Sequence, residues 1–379
     1  MQVKIILSSC LSEYEEGSVR VFHRAIQKLK APLNKLGCDE LLDVCVDGQT
    51  FAIYRHDTGE VVDRSLYLNE RYQSRAKTLS GHSPFCREIE FAFIAANFGC
   101  RNNYYHWTLQ AVLSIICFLP FLRSEKIPIV VPVCRQPYQV FWLKSLASAY
   151  GLSFVFLDDC QWIRIARLFV PPTLYKPFDF APVIDYDRIL GVLADIGVAK
   201  PRVVSSYPEK VYIFRGSAAR RKLVNESKVE EIVGRHGFEV VSLENLNVAD
   251  QINLFMNCRM IMAPHGAGLA NLIFSNPCLL EEVQEIASPY YLNPCFFAIA
   301  HRLQIRNYTV LLSVPVGVSD RILGRARHRH AQESRMPIAT LKQMLAGRVQ
   351  RADSSITTAY LSPDLDPGPG STIRSVEVL

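Results

Sequence analysis

The segment His265–Asn271 reads HGAGLAN and directly follows the apolar run RMIMAP. Gly266 and Gly268 lack Cβ atoms, so the backbone can turn tightly there and bring its amides to an anion. A helix after such a turn aims about half a positive charge at the same spot. Strand, glycine turn and helix make a phosphate cradle, with the amides of Gly266, Ala267, Gly268 and Leu269 as its donors. The competing reading is a bare tight turn. The spacing is not that of the dinucleotide fingerprint GxGxxG, which occurs nowhere in the chain.

A second cluster adds charge. Arg215 closes the strand-like KVYIFR, and RRKLVNES follows from Arg220. Carboxyl ends of parallel strands share one edge, where ligands bind, so Arg215, Arg221 and the glycine turn are expected at one crevice. An arginine fork meets phosphate oxygens with two parallel hydrogen bonds, whereas lysine acts as a point charge. Arg220 reads as solvated, and Asn225 or Ser227 as the cap of the next helix, with Glu230 completing a capping box from Ser227. A third cluster is NNYYHWTLQ, Asn102–Gln110. Asn102 or Asn103 is a fair helix cap, which leaves His106 and Trp107 in the first turn, either packed or at work as acid or base. Two Asp-x-Asp patterns, Asp185–Asp187 and Asp364–Asp366, mimic the metal-holding motif of sugar transferases. The first opens a helix and the second lies near the end of the chain. Neither has strand-end context, and no metal site is expected.

These residues need elements to hold them. The chain has 379 residues, 49% hydrophobic and 21% charged, enough for two domains or slightly more. That composition excludes a collagenous or wholly disordered protein. The longest largely apolar run, Ala111–Leu122, falls short of the ~20 residues that cross a bilayer, so no membrane span is expected. The opening MQVKIILSSC lacks the basic start and long apolar stretch of a leader, and the expected address is the cytoplasm. The eleven cysteines are scattered with no CxxC pair, as in a reduced protein where they act as small hydrophobes. Net charge is +6, concentrated from Arg321 to Arg335 with five arginines against one glutamate. Such a stretch suits a solvated surface or an anionic membrane face. No nucleic-acid module accompanies it, so no nucleic-acid partner is expected.

QVKIIL reads as a first strand, followed by strand-like runs at 41–46, 51–55 and 90–95. A helix is expected over 104–122, then the buried strand IPIVVPV, a helix over 138–150, and strands at 152–157 and 164–170. PPTLYKPFDFAP, with four prolines from Pro171 to Pro182, suits neither helix nor central strand and is the expected linker. Helices at 186–196, 227–236 and 249–257 then alternate with KVYIFR, FEVVSL and RMIMAP, before LLEEVQEI and a last helix near 292–301. This is α/β architecture in two halves: 1–175, then 176–310, then a basic extension over 311–350 and a polar, disordered tail over 351–379.

The stretch Val211–Phe274 resembles glycosyltransferase family 61, which includes capsular-polysaccharide biosynthesis enzymes. The likeness lies in Arg215, then Arg221–Glu226, Gly237–Val241, Gln251–Phe255 and His265–Phe274, together with Asn103, Tyr104, His106 and Trp107. Cys278 departs from a usual glycine, and either Glu281 or Glu282 matches a strand-end glutamate, with Glu282 taken for the nucleotide site. The resemblance implies a GT-B fold, two Rossmann-like domains facing each other across a cleft, with a nucleotide sugar on the second. It also implies inverting transfer, usually from a UDP-sugar and without an obligatory metal, to a glycan or lipid-linked acceptor of a cell-surface polysaccharide. Arg215, Arg221, His265, the following amides and Asn271 would then hold the nucleotide. Tyr104 and Trp107 would line the acceptor side, with His106 or an acid of the first hundred residues as base. His265 would assist catalysis as neutral imidazole or as cation. Docking at the inner membrane face would use Arg321–Arg335. A catalytically silent nucleotide-sugar-binding or assembly subunit is the alternative.

Overall fold

Apolar strands of the computed structural model, buried in unbroken runs such as Ile129–Pro132, organise two α/β sheets. The structure describes residues 2–6, 22, 37–66, 87–174, 184–199, 207–216, 222–316, 333–347 and 358–361. The chain divides into two units, one of Leu33–Lys200 and one of Met1–Pro32 with Pro201–Leu379.

The Leu33–Lys200 unit carries β2 (Asp39–Asp47), β3 (Ile53–Arg55), β4 (Arg87–Ile94), β5 (Ile129–Pro132), β6 (Phe154–Leu157) and β7 (Trp162–Val170), in the order β3-β2-β7-β4-β5-β6. β7, β4, β5 and β6 are parallel neighbours, and β2 joins β7 and β3 antiparallel, so the sheet is mixed. Helix α1 (Tyr104–Ser124) starts where the Asn103 side chain accepts from the Tyr105 amide. It opens with one α turn, passes through a six-residue π turn at Trp107–Val112, and resumes as α-helix from Leu113. It has 21 residues, and an 18-residue window within it reaches a mean hydropathy of 1.5, long and apolar enough to span a membrane, which corrects the shorter apolar run expected from sequence. Two-thirds of that window is buried inside the protein, as in a core helix. Helix α2 (Pro137–Tyr150) has proline in its first turn and a Gln136–Gln139 capping box, and ends at Gly151 in the left-handed region, φ 66°. Helix α3 (Tyr186–Asp195) buries Ile189, Val192 and Leu193, and Arg188 reaches the Cys117 carbonyl.

The described residues of the second unit include a sheet of seven strands in the order β15-β1-β12-β11-β10-β8-β9. These are β1 (Gln2–Ile6), β8 (Lys210–Ile213), β9 (Glu239–Val241), β10 (Met260–Pro264), β11 (Glu282–Ala287), β12 (Asn307–Leu312) and β15 (Thr358–Leu361). All pairings are parallel except β1 with β15. Helices α4 (Glu226–Arg235), α5 (Val248–Asn257) and α6 (Cys295–Arg302) alternate with the strands, and a 3₁₀ helix covers Ala267–Phe274. Tyr212, Met262, Ile286 and Leu311 meet Val229, Ile232 and Val233 of α4 in the core.

The grouping departs from a boundary at 175/176. β1 pairs with β12 although some 300 residues separate them, and α3 clusters with the first unit. Of the expected linker, Pro172–Leu174 forms a 3₁₀ turn with Thr173 and Leu174 buried. The extension is also partly structured. β13 (Val314–Pro315) pairs with β14 (Ser334–Arg335), and helix α7 (Ile338–Leu345) follows, with Met336 and Leu341 fully buried in the α4 core. Thr358–Leu361, expected in a disordered tail, pairs as β15 with β1. Residues 321–332 of the basic stretch lie outside the described residues. The nine described cysteines are free thiols.

Candidate active site

Counted along the chain, β8 to β12 stand in the sheet as 2-1-3-4-5, the flavodoxin-like order. In such sheets ligands bind beyond the carboxyl ends of the strands where the order reverses, here between β8 and β10. Arg215 comes two residues after β8, and His265 comes immediately after β10. Arg215 Nη1 donates to the His265 carbonyl at 2.5 Å. The guanidinium lies against Gly266, where a Cβ would stand 2.5 Å from Nη1. Gly266 is extended, at φ −177°, so space and not backbone conformation requires glycine. The expected pairing of Arg215 with the glycine turn is therefore direct.

His265 is buried, with its ring edge-on to Tyr291 at 5.1 Å and tilted against Phe296 at 4.9 Å. Its Nδ1 meets Glu285 Oε1, and Tyr308 donates to Glu285 Oε2 at 2.5 Å. Sheet parity explains the triad. His265 N bonds Ile286 O, and Tyr308 stands opposite Val283, so the Glu285 side chain shares a face with both. Burial and the neighbouring Glu285 carboxylate hold the Tyr308 phenol well above its ordinary value, and it stays a donor. Nδ1 is thus the ring nitrogen turned to the Glu285 carboxyl, and Nε2 is the nitrogen directed elsewhere.

Sequence reasoning missed Glu285 and chose its neighbours. Glu282 opens β11, three residues away and therefore on the opposite face, where it accepts from Thr309 at 3.0 Å. Glu281 is exposed and paired with Arg259. Glu226, which ends the Arg221–Glu226 stretch of the likeness, carries no expected role in the sequence reading. Its Oε1 accepts from the Arg215 amide and the Tyr212 hydroxyl, both at 3.0 Å, which anchors the backbone that carries the arginine. Its Oε2 is buried without a hydrogen bond, and burial raises the carboxyl above its ordinary range.

The cradle is tighter than an α-helix start. Ala267–Phe274 is 3₁₀, and the Leu269 amide already donates to the Gly266 carbonyl at 3.0 Å, which removes it from the expected donors. The amides of Gly266, Ala267 and Gly268 open the turn. A Cβ on Gly268 would stand 2.7 Å from Leu243. Asn271 is fully buried and donates to Gln251 Oε1 at 3.1 Å, so it braces the turn against α5. Arg221 lies outside the described residues.

In the first unit β4 and β7 run parallel with Phe93 opposite Phe169, and the residues after both ends carry the His106 cluster. His106 Nδ1 stands 2.8 Å from Gln110 Oε1. That oxygen also accepts from Asn97 Nδ2 at 2.8 Å, and Gln110 Nε2 donates to the Thr173 carbonyl at 3.0 Å. Gly99 abuts the ring, where a Cβ would lie 2.7 Å from Cδ2. Burial lowers the imidazole's proton affinity, and the Gln110 hydrogen bond offsets part of that. Tyr104 is half-buried and edge-on to Tyr138 at 5.1 Å. Trp107 is fully buried and cannot line an acceptor surface, because its position in the helix faces the core.

Asp185 caps α3 by accepting from the Arg188 amide at 3.1 Å, the structural role expected for it, and Asp364 lies outside the described residues. Asn225 occupies the N-terminus of α4 without a capping bond from its side chain, and instead exchanges two hydrogen bonds with the Met336 backbone at 2.8 and 2.9 Å. Residues 104–279 match the family described as Glycosyltransferase 61, which spans both the His106 cluster and the cradle. No curated protein matches the chain.

Proposed function

From that family membership of residues 104–279, we propose that this protein is an inverting glycosyltransferase of the GT-B class, taking sugar from a UDP-sugar to a glycan or lipid-linked acceptor in cell-surface polysaccharide synthesis. The observation that carries the reading is the corner formed by Arg215, Gly266 and His265 at the β8/β10 switch point, inside the matched segment. On this reading the diphosphate lies against the Arg215 guanidinium, the opening amides of the 3₁₀ turn and His265 Nε2. Each well-aimed donor that meets charge developing in the transition state contributes about 3 kcal/mol. Glu285 and Tyr308 fix the ring and act through it.

His106 is the proposed base. It takes the proton of the acceptor hydroxyl as that oxygen bonds to the anomeric carbon, and the bond to the diphosphate breaks on the opposite side. Because burial lowers its proton affinity, the imidazole is neutral and able to accept at neutral pH. No obligatory metal enters the proposal, and Asp185 is a helix cap on this reading. The proposed address is the cytoplasm at the inner membrane face, with Arg321–Arg335 toward anionic lipid.

The test is release of UDP from a panel of UDP-sugars with glycan acceptors, on the wild-type protein and His106→Ala. The variant should lose roughly 10²–10⁴-fold in kcat with little change in UDP affinity. UDP binding without turnover on any donor would refute the transferase reading. A near-normal kcat in the variant would leave transfer standing and remove His106 as base.

A further inference from the structure

We infer that Gln110 is a positioning residue that locks the tautomer of His106, holding its proton on Nδ1 and its lone pair on Nε2. The inference rests on the reading of His106 as base. Its argument is the orientation of two buried amides. Asn97 Oδ1 accepts from the Gly99 amide at 2.9 Å, so Asn97 Nδ2 is the atom that faces Gln110. Gln110 Nε2 faces the Thr173 carbonyl, an acceptor only. Flipping the Gln110 amide would set its NH₂ against the Asn97 NH₂ and its carbonyl against that of Thr173. Both contacts are repulsive, and both groups are buried. Gln110 Oε1 therefore points at His106 Nδ1, and an oxygen with no hydrogen requires a donor there. One ring nitrogen is thereby assigned the proton, and the other is left as the base.

The surroundings of the ring support a neutral imidazole. Gly99 packs against one side, and the Tyr105 ring lies edge-on at 5.0 Å. The Cys100 thiol, whose pKa burial pushes up to about 12, stays neutral and contacts the His106 carbonyl. The turn that supplies the Thr173 carbonyl, Pro172–Leu174, has no titratable side chain. Among the described residues no carboxylate or cation acts on the ring. His106 also stands where α1 widens into its π turn, and such turns are frequent at functional sites. An amide partner thus orients the base without adding charge, unlike the carboxylate on His265.

The experiment uses the full-length protein and two variants, Gln110→Glu and Gln110→Met. A carboxylate still accepts from Nδ1 but favours the protonated ring, so Gln110→Glu should move the acid limb of kcat/KM to higher pH by about one unit or more. Methionine has similar bulk and no such acceptor. Gln110→Met should lower plateau kcat at least ~10-fold while UDP affinity is retained. An unmoved acid limb in Gln110→Glu, with His106→Ala inactive, would overturn the lock and leave the base in place. A near-normal kcat in His106→Ala would overturn the base itself. Should the Gln110 variants unfold, nitrogen NMR of the ¹⁵N-histidine-labelled wild type decides. A proton on Nδ1 of His106 supports the lock, and a proton on Nε2 overturns it.

Discussion

Replacing Gly266 by alanine isolates Arg215 without touching it. The backbone at 266 is extended, at φ −177° and ψ 165°, which alanine adopts without strain. The added Cβ would stand 2.5 Å from Nη1, 2.6 Å from Cζ and 2.9 Å from Nε of Arg215. All three atoms belong to the far end of a flexible side chain, so the arginine moves and the strand stays. The move breaks the Nη1 bond to the His265 carbonyl, a bond from a charged donor worth about 1.5–3 kcal/mol when buried and less for a half-buried guanidinium. The expected stability loss is thus about 1 kcal/mol. UDP affinity should fall more, about 10- to 100-fold, since a displaced fork loses a charge-assisted phosphate contact. Calorimetry of UDP binding to Gly266→Ala, Arg215→Ala and the double variant completes a cycle. If alanine acts only through the arginine, the double variant should bind as Arg215→Ala does. Additive losses would refute the reasoning and place the effect in the turn itself.

Two further outcomes are expected. Burial lets Glu226 keep its proton to a higher pH folded than unfolded, so its contribution to stability is present in acid and is lost as pH rises from the ordinary value of 4.5 through the raised one. Glu226→Gln keeps an acceptor for Tyr212 and the Arg215 amide and cannot ionise, so its melting temperature relative to wild type should rise as pH increases above the ordinary value of 4.5. A difference independent of pH would show that Glu226 does not titrate on folding. Turnover should survive EDTA, and Asp185→Asn should retain it in the absence of added metal. Abolition by both would make Asp185 a metal ligand.

Local patterns in the sequence announced most of the sheet elements that carry the two clusters. The unbroken apolar runs at β5 and β10, the Asn103 and Asp185 caps and the start of α2 lie within a residue or two of their expected places, because each depends only on near neighbours. The glycine turn was legible for the same reason, although its 3₁₀ geometry was not. The other failures are non-local. Nothing in QVKII states that its partner is β12, and nothing in the arginine-rich extension states that Met336 seats in the α4 core. Glu285 was passed over for Glu282 because strand position and face are set by register, and a three-residue shift changes the face. Asn225 looked like a cap, and the competing backbone at Met336 is 111 residues away.

The two imidazoles illustrate how a partner's chemistry divides labour. Both present Nε2 because something else holds Nδ1, yet the holders differ in charge. An amide oxygen orients a ring and cannot balance a positive charge on it, and burial then favours the neutral form. That suits a group whose task is to accept a proton. A carboxylate orients the ring equally well and can balance such a charge, and here Tyr308 on its second oxygen keeps that carboxylate satisfied within the core. That suits a group set beside an anion that gains charge as its bond breaks. Exchanging the holders should therefore damage each site in its own way. On the proposed reading, a carboxylate at 110 would hold His106 protonated at pH values where a base must accept. On the same reading, an amide at 285 would leave the His265 ring without a counter-charge beside the diphosphate.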